Sequence, residues 1–99
     1  MVDIMKIETI QLKTIVNQSK DIDATDLNGE KVMMNLDKGK YFALNGVASR
    51  IWEIIYEPIT VQGVIDTLLQ EYEVEYEICK NNVLEFLERL NNDELIYIC

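Results

Sequence analysis

The side chains that most often carry chemistry are scarce in this chain of 99 residues. It has no histidine, which removes the commonest general base and the commonest metal ligand. Ser19 and Ser49 are its serines, and neither stands in a nucleophile-elbow context. Cys79 and Cys99 form neither a CxxC pair nor a metal-ligand cluster. Cys79 falls on the apolar side of a predicted helix and reads as a packed thiol that behaves as a small hydrophobe. The acids Asp21 and Asp23, and the series Glu71, Glu73, Glu75 and Glu77, have nothing apolar around them to shift a pKa. They read as solvated charge rather than as a metal site or an acid–base pair. No glycine-rich loop sits between a strand and a helix to hold phosphate. The expectation is a chain without catalytic residues, metal or cofactor.

Recognition is what remains, and the charge narrows the partner. Nine basic residues against eighteen acidic ones give a formal charge of −9. Nucleic-acid binders draw most of their non-specific affinity from neutralising phosphates with Lys and Arg, so this chain would repel a phosphate backbone. A basic or neutral peptide is the natural partner. The stretch Lys40-Tyr41-Phe42-Ala43-Leu44 reads as a strand that carries one lysine and no proline, the usual means of blunting a sheet edge. Either Tyr41, Phe42 and Leu44 are core and hairpin packing, or the strand is an open edge to which an extended peptide adds.

The elements that position this strand can be read in turn. Asn28-Gly29 is a strong two-residue hairpin signal, joining Ala24–Leu27 to Lys31–Leu36. Alternation in the second of these places Val32, Met34 and Leu36 on one face. Asp37 to Gly39 reverses the chain again into Lys40–Leu44. Asn45 is a good cap for the helix that follows. In that helix Val47, Ile51, Ile54 and Ile55 make an apolar stripe, and Pro58 ends it near Tyr56. Thr60 caps a second helix carrying Val61, Val64, Ile65, Leu68, Leu69 and Tyr72 at helical spacing. Gly63 near its start costs about 1 kcal/mol relative to alanine, which points to close packing there. A third helix starts around Glu75, with Tyr76, Cys79, Val83, Phe86, Leu87 and Leu90 along one side, and ends at Asn91-Asn92-Asp93. Leu95 to Ile98 is an apolar tail, an edge strand or a core plug. Thr9–Gln18 alternates as a further strand, and residues 1–8 read as a frayed leader.

The predicted class is α+β: a three-stranded antiparallel sheet followed by three α-helices, in the manner of a winged helix-turn-helix. The length suits one domain over 1–99. No apolar run approaches the ~18 residues that a membrane span needs, no signal peptide is legible, and the cysteine usage suits a reduced, cytoplasmic setting. A winged-helix transcription regulator and a protein–protein adaptor are the rival readings. The first is set back by the third helix, where Lys80 and Arg89 face Glu77, Glu85 and Glu88.

GEKVMMNLDKGKYFALNGVASRIWEII also resembles the PqqD-like family, the recognition elements of ribosomally made, post-translationally modified peptide pathways (RiPPs). The resemblance rests on Tyr41-Phe42, Leu44-Asn45, the small residues Gly46 to Ser49, and Ile51-Trp52. Pro58 to Val61, Leu68 to Tyr72 and Val83 to Leu90 continue it, so that it covers roughly residues 15–98. Asn45 to Ala48 departs from it, since relatives often carry an acid or a second glycine there. Within the family the chain looks most like the discrete recognition proteins of lasso-peptide clusters. That likeness implies binding of a precursor's leader peptide and its delivery to a leader peptidase and a cyclase. It implies a leader paired antiparallel with Lys40–Leu44 through Tyr41, Phe42, Ala43 and Leu44, with helix contacts from Lys80, Val83, Leu84 and Leu87. Exposed edges of that strand could also pair with each other, giving a weak homodimer without leader.

Overall fold

The computed structural model describes residues 10–20, 22–27, 30–36, 38–44 and 46–99. In chain order the elements are β1 (Ile15–Gln18), β2 (Ile22–Leu27), β3 (Glu30–Asn35), β4 (Lys40–Leu44), α1 (Gly46–Ile54), β5 (Ile59–Thr60), α2 (Val61–Glu71), α3 (Tyr76–Asn92) and β6 (Ile96–Ile98). The α+β class and the three helices after a three-stranded antiparallel sheet are as the sequence predicts, with β5 and β6 falling among and after the helices. There are two small antiparallel sheets rather than one. The first has the order β2-β3-β4 and the second β5-β1-β6.

The first sheet is the predicted double hairpin. Leu27 pairs with Glu30 across the first connection, whose residues Asn28 and Gly29 lie outside the described residues. At the second, Asn35 accepts twice: its carbonyl from the Gly39 amide at 2.7 Å and its side-chain oxygen from the Lys38 amide at 3.2 Å. Gly39 has φ +66°, a backbone state that glycine reaches without Cβ strain. Asp37, the first residue of that predicted reversal, and the predicted cap Asn45 lie outside the described residues, as do residues 1–8 and Asp21.

Burial settles which face of β3 is inward. Val32, Met34 and Leu36 do share a face, but Met33 and Asn35 on the opposite one are buried, and Leu36 is exposed. Apolar residues stand on both faces of β3, so alternation defines two faces without saying which is covered. The buried side packs on α1. There Ile51, Trp52 and Ile55 are buried while Val47 is exposed, so the inward stripe is turned one position from the predicted one.

The strand predicted over Thr9–Gln18 is shorter, and its role explains why. The Asn17 side-chain amide donates to the carbonyls of Ile55 (3.0 Å) and Tyr56 (3.1 Å). The Gln18 side chain donates to the Trp52 carbonyl at 2.7 Å, and the Gln18 backbone amide to that of Ile55 at 3.1 Å. The last carbonyls of a helix have no partner within it; β1 meets that of Trp52 in α1 and those of Ile55 and Tyr56 in the turn after it. Val16 beside them is fully buried.

Two features of α2 match the sequence reading. Thr60 is its cap, its hydroxyl accepting from the Gly63 amide at 3.0 Å. Gly63 is needed for space: a Cβ there would stand 2.8 Å from Cγ1 of Ile59. In α3 the buried residues are Cys79, Val83, Leu87 and Leu90. Tyr76, expected on that side, is exposed and donates its hydroxyl to the Gln62 side-chain oxygen at 3.1 Å. The end of α3 is a Schellman closure. The Leu95 amide reaches the Leu90 carbonyl (2.9 Å), the Glu94 amide that of Asn91 (3.0 Å), and Glu94 takes φ +61°. The tail is both edge strand and plug, since β6 pairs with β1 while Leu95 and Ile96 are buried. No described helix is long and apolar enough to cross a membrane.

Candidate functional site

The strand order leaves β4 at the end of its sheet, paired with β3 alone. Its outer backbone groups have no strand partner among the described residues. Tyr41 and Ala43 point to the uncovered face, Tyr41 being 69% exposed. Phe42 is half-buried and packs on the core, and Leu44 is buried. The Ser49 hydroxyl donates to the Leu44 carbonyl at 2.7 Å, so this serine ties the end of β4 to α1 rather than standing free as a nucleophile.

An apolar cleft of about 420 Å³ opens between α1, α2 and α3. The start of α1 gives it Val47, Ala48 and Ile51. The end of α2 and the connection after it give Leu68, Tyr72, Glu73 and Val74. The first half of α3 gives Cys79, Asn82, Val83 and Phe86. Only two residues separate Leu44 from Val47 in sequence, so the strand edge and the cleft are at most about 10 Å apart along the chain. Glu73 is the one charged residue of the lining. Burial pushes the Cys79 thiol up from its ordinary value, so it is protonated near neutral pH.

A chain of charges runs alongside. Lys31 Nζ meets Asp26 at 2.9 Å and Glu53 at 3.6 Å. Arg50 reaches Glu53 at 3.4 Å and forks onto Glu71, Nε to Oε1 at 2.8 Å and Nη2 to Oε2 at 2.7 Å. The hydrogen bond from Arg50 holds the Glu71 carboxyl below its usual range, and the same bond raises the Arg50 guanidinium. The Asp26 hydrogen bond raises Lys31. No group of three or more metal-ligating side chains occurs among the described residues.

The residues expected from the family resemblance are thus only partly brought together. Tyr41 to Leu44 do form an edge strand, and Val83 lines the cleft. Lys80 and Leu84 are half-buried on the neighbouring flank of α3, with Lys80 paired to Glu77 at 3.7 Å. Leu87 is fully buried in the core. The helix wall of the cleft instead follows Cys79, Asn82, Val83 and Phe86, at i, i+3, i+4 and i+7. Cys79, Val83 and Phe86 were legible on one apolar side of a helix and Asn82 was not, and nothing in the spacing says that part of the side would stay uncovered. Ala48, Tyr72 and Val74 carried no signal of a site.

Comparison with known proteins follows the same lines. The family model described as coenzyme PQQ synthesis protein D (PqqD) matches residues 30–96. The solved structure of TbiB1 in complex with the TbiA(beta) leader peptide is similar over 81% of this chain and 93% of that one, with 30% identity and a TM-score of 0.75. Lasso peptide synthetase B1, complexed with the leader peptide, shares the fold over 83% of this chain and 96% of that one, at 20% identity and a TM-score of 0.74. A search of curated proteins found no match.

Proposed function

Because the chain belongs to the PqqD family, we propose that it is a non-catalytic recognition module for the leader segment of a ribosomally made precursor peptide, of the lasso-peptide kind. The leader adds as a strand along β4 and seats an apolar side chain in the cleft between α1, α2 and α3. The observation that carries this reading is a β4 edge without a strand partner among the described residues, three residues along the chain from Val47 in the lining of an apolar cleft. TbiB1, the relative at 30% identity, is itself solved with a leader peptide, which supports it. In this reading Tyr41, Phe42, Ala43 and Leu44 supply backbone pairing, and Lys80, Val83, Leu84 and Leu87 the contacts from α3, with Leu87 reached only from beneath since it is fully buried. The module then delivers the leader to the leader peptidase and cyclase of its pathway. Without leader, two β4 edges can pair in a weak homodimer that the leader displaces.

The energetics suit reversible capture. A strand addition making about five backbone hydrogen bonds contributes roughly 1 kcal/mol net for each. One or two apolar anchors add about 2 kcal/mol apiece. After the cost of ordering a disordered leader, Kd falls between about 10 nM and 10 μM. Backbone pairing reads no sequence, so selectivity rests on the cleft. The test is a titration of the protein into a fluorescently labelled leader from the neighbouring precursor gene, followed by anisotropy. Saturable binding near micromolar, lost with a scrambled leader, is expected. No binding up to about 100 μM with folded protein, a free energy too weak for five hydrogen bonds and an anchor, would overturn the reading.

A further inference from the structure

The Arg50–Glu71 fork joins the two walls of the cleft. Arg50 lies in α1 between Val47 and Ile51, both of which line it. Glu71 is the last residue of α2 and directly precedes Tyr72, Glu73 and Val74, which form the opposite rim. Both fork bonds are short, 2.8 and 2.7 Å, and both side chains are only about one-third exposed, at 36% and 35%.

Three observations set this pair apart from an ordinary surface ion pair, most of which contribute little. Its geometry is bidentate, which fixes orientation as well as distance. It continues through Glu53 and Lys31 to Asp26, so α1 is braced from the hairpin side as well. And Glu71 places a carboxylate at the negative end of the α2 dipole, where an acid is disfavoured unless a cation meets it.

We infer that the Arg50–Glu71 fork is a latch that sets the width of the cleft, and so the size of the leader side chain the cleft admits. Arg50 and Glu71 are positioning residues in this scheme, since neither lines the cleft. The second half of the inference rests on the leader reading above; the first half does not.

Cys79 reports the width without any leader. It lines the cleft and is 5% exposed, while the other cysteine, Cys99, is exposed and can be removed as Cys99→Ser. In that background the rate of Cys79 modification by methyl methanethiosulfonate, read by mass shift, is compared for the parent, Glu71→Gln and Arg50→Lys. The lysine keeps the charge but cannot fork. Both variants should react about fivefold faster or more, as expected for easier local opening, at a temperature where circular dichroism shows each of them fully folded. A second arm measures affinity for leader peptides carrying Ala, Leu or Trp at the position an alanine scan identifies as the anchor. The parent should discriminate against Trp and the variants should do so several-fold less. An unchanged Cys79 rate overturns the latch. A faster rate with unchanged size preference overturns its role in selectivity. If no leader binds at all, the recognition reading fails while the thiol rate still decides the latch.

Discussion

Filling the cleft should separate binding from folding. Ala48 is half-buried in its lining, in a helix where leucine is almost as favourable as alanine. Ala48→Leu adds three carbons to a space of about 420 Å³, so it meets room rather than overpacking. At roughly 0.8 kcal/mol per buried methylene the upper limit is about 2.4 kcal/mol. An open cleft covers about half of the added surface, leaving a gain of about 1 kcal/mol, or roughly 4–8 °C in midpoint for a domain of this size. The same leucine occupies the seat of the anchor, and losing an anchor worth about 2 kcal/mol weakens leader binding about thirtyfold. Thermal melting and leader anisotropy on one preparation test both numbers. A variant that melts higher and binds as before would refute the cleft as the anchor's seat. One that melts several degrees lower would refute the claim that the space is free.

Three further outcomes concern the frame around the site. Gly63→Ala should destabilise by about 1 kcal/mol in urea melts, because a Cβ 2.8 Å from Ile59 Cγ1 costs about 1–3 kcal/mol in overpacking, against about 1 kcal/mol of helix propensity. Glu94→Gly should stabilise by about 0.5–1 kcal/mol in the same assay, since glycine takes φ +61° without Cβ strain. The Lys38 pair it gives up (3.4 Å) is exposed and worth little. Glu71→Gln should lower the melting midpoint at neutral pH. Because the folded-state pKa of Glu71 lies below its ordinary 4.5, its contribution is present above that value and fades as pH falls through the depressed one. Parent and variant should therefore converge in acid and separate on the neutral side, and equal midpoints at neutral pH would refute the coupling.

The parts of this fold that declare themselves in sequence are those with their own periodicity or punctuation. Lys40–Leu44 falls where its aromatics and flanking turn put it, and α2 follows from Thr60, its apolar spacing and the crowding at Gly63. The second sheet had no such signature. β5 is two residues long and β6 three, and they are strands because β1 lies between them rather than through any pattern of their own. β1 in turn is held by Asn17 and Gln18 completing the end of α1, a pairing across more than thirty residues that composition cannot foretell. The open edge was legible as one of two readings of Tyr41 to Leu44. The cleft was not, because α3 carries apolar residues over a broad arc, and only packing decides that Cys79 and Val83, buried like Leu87, also line the cleft.

The brevity of the join between β4 and α1 has a metric consequence. A strand advances about 3.3 Å per residue and turns its side chains over at each step. With Leu44 fixed by Ser49 at one end of the join and Val47 already in the cleft at the other, the interval between the paired backbone and the pocket cannot stretch. A leader with one residue inserted between its strand segment and its anchor would present the wrong side chain, and with two inserted the right side about 7 Å too far on. On the proposed reading, the chain would therefore gauge spacing before identity, as a ruler does, with the end of β4 as the zero mark.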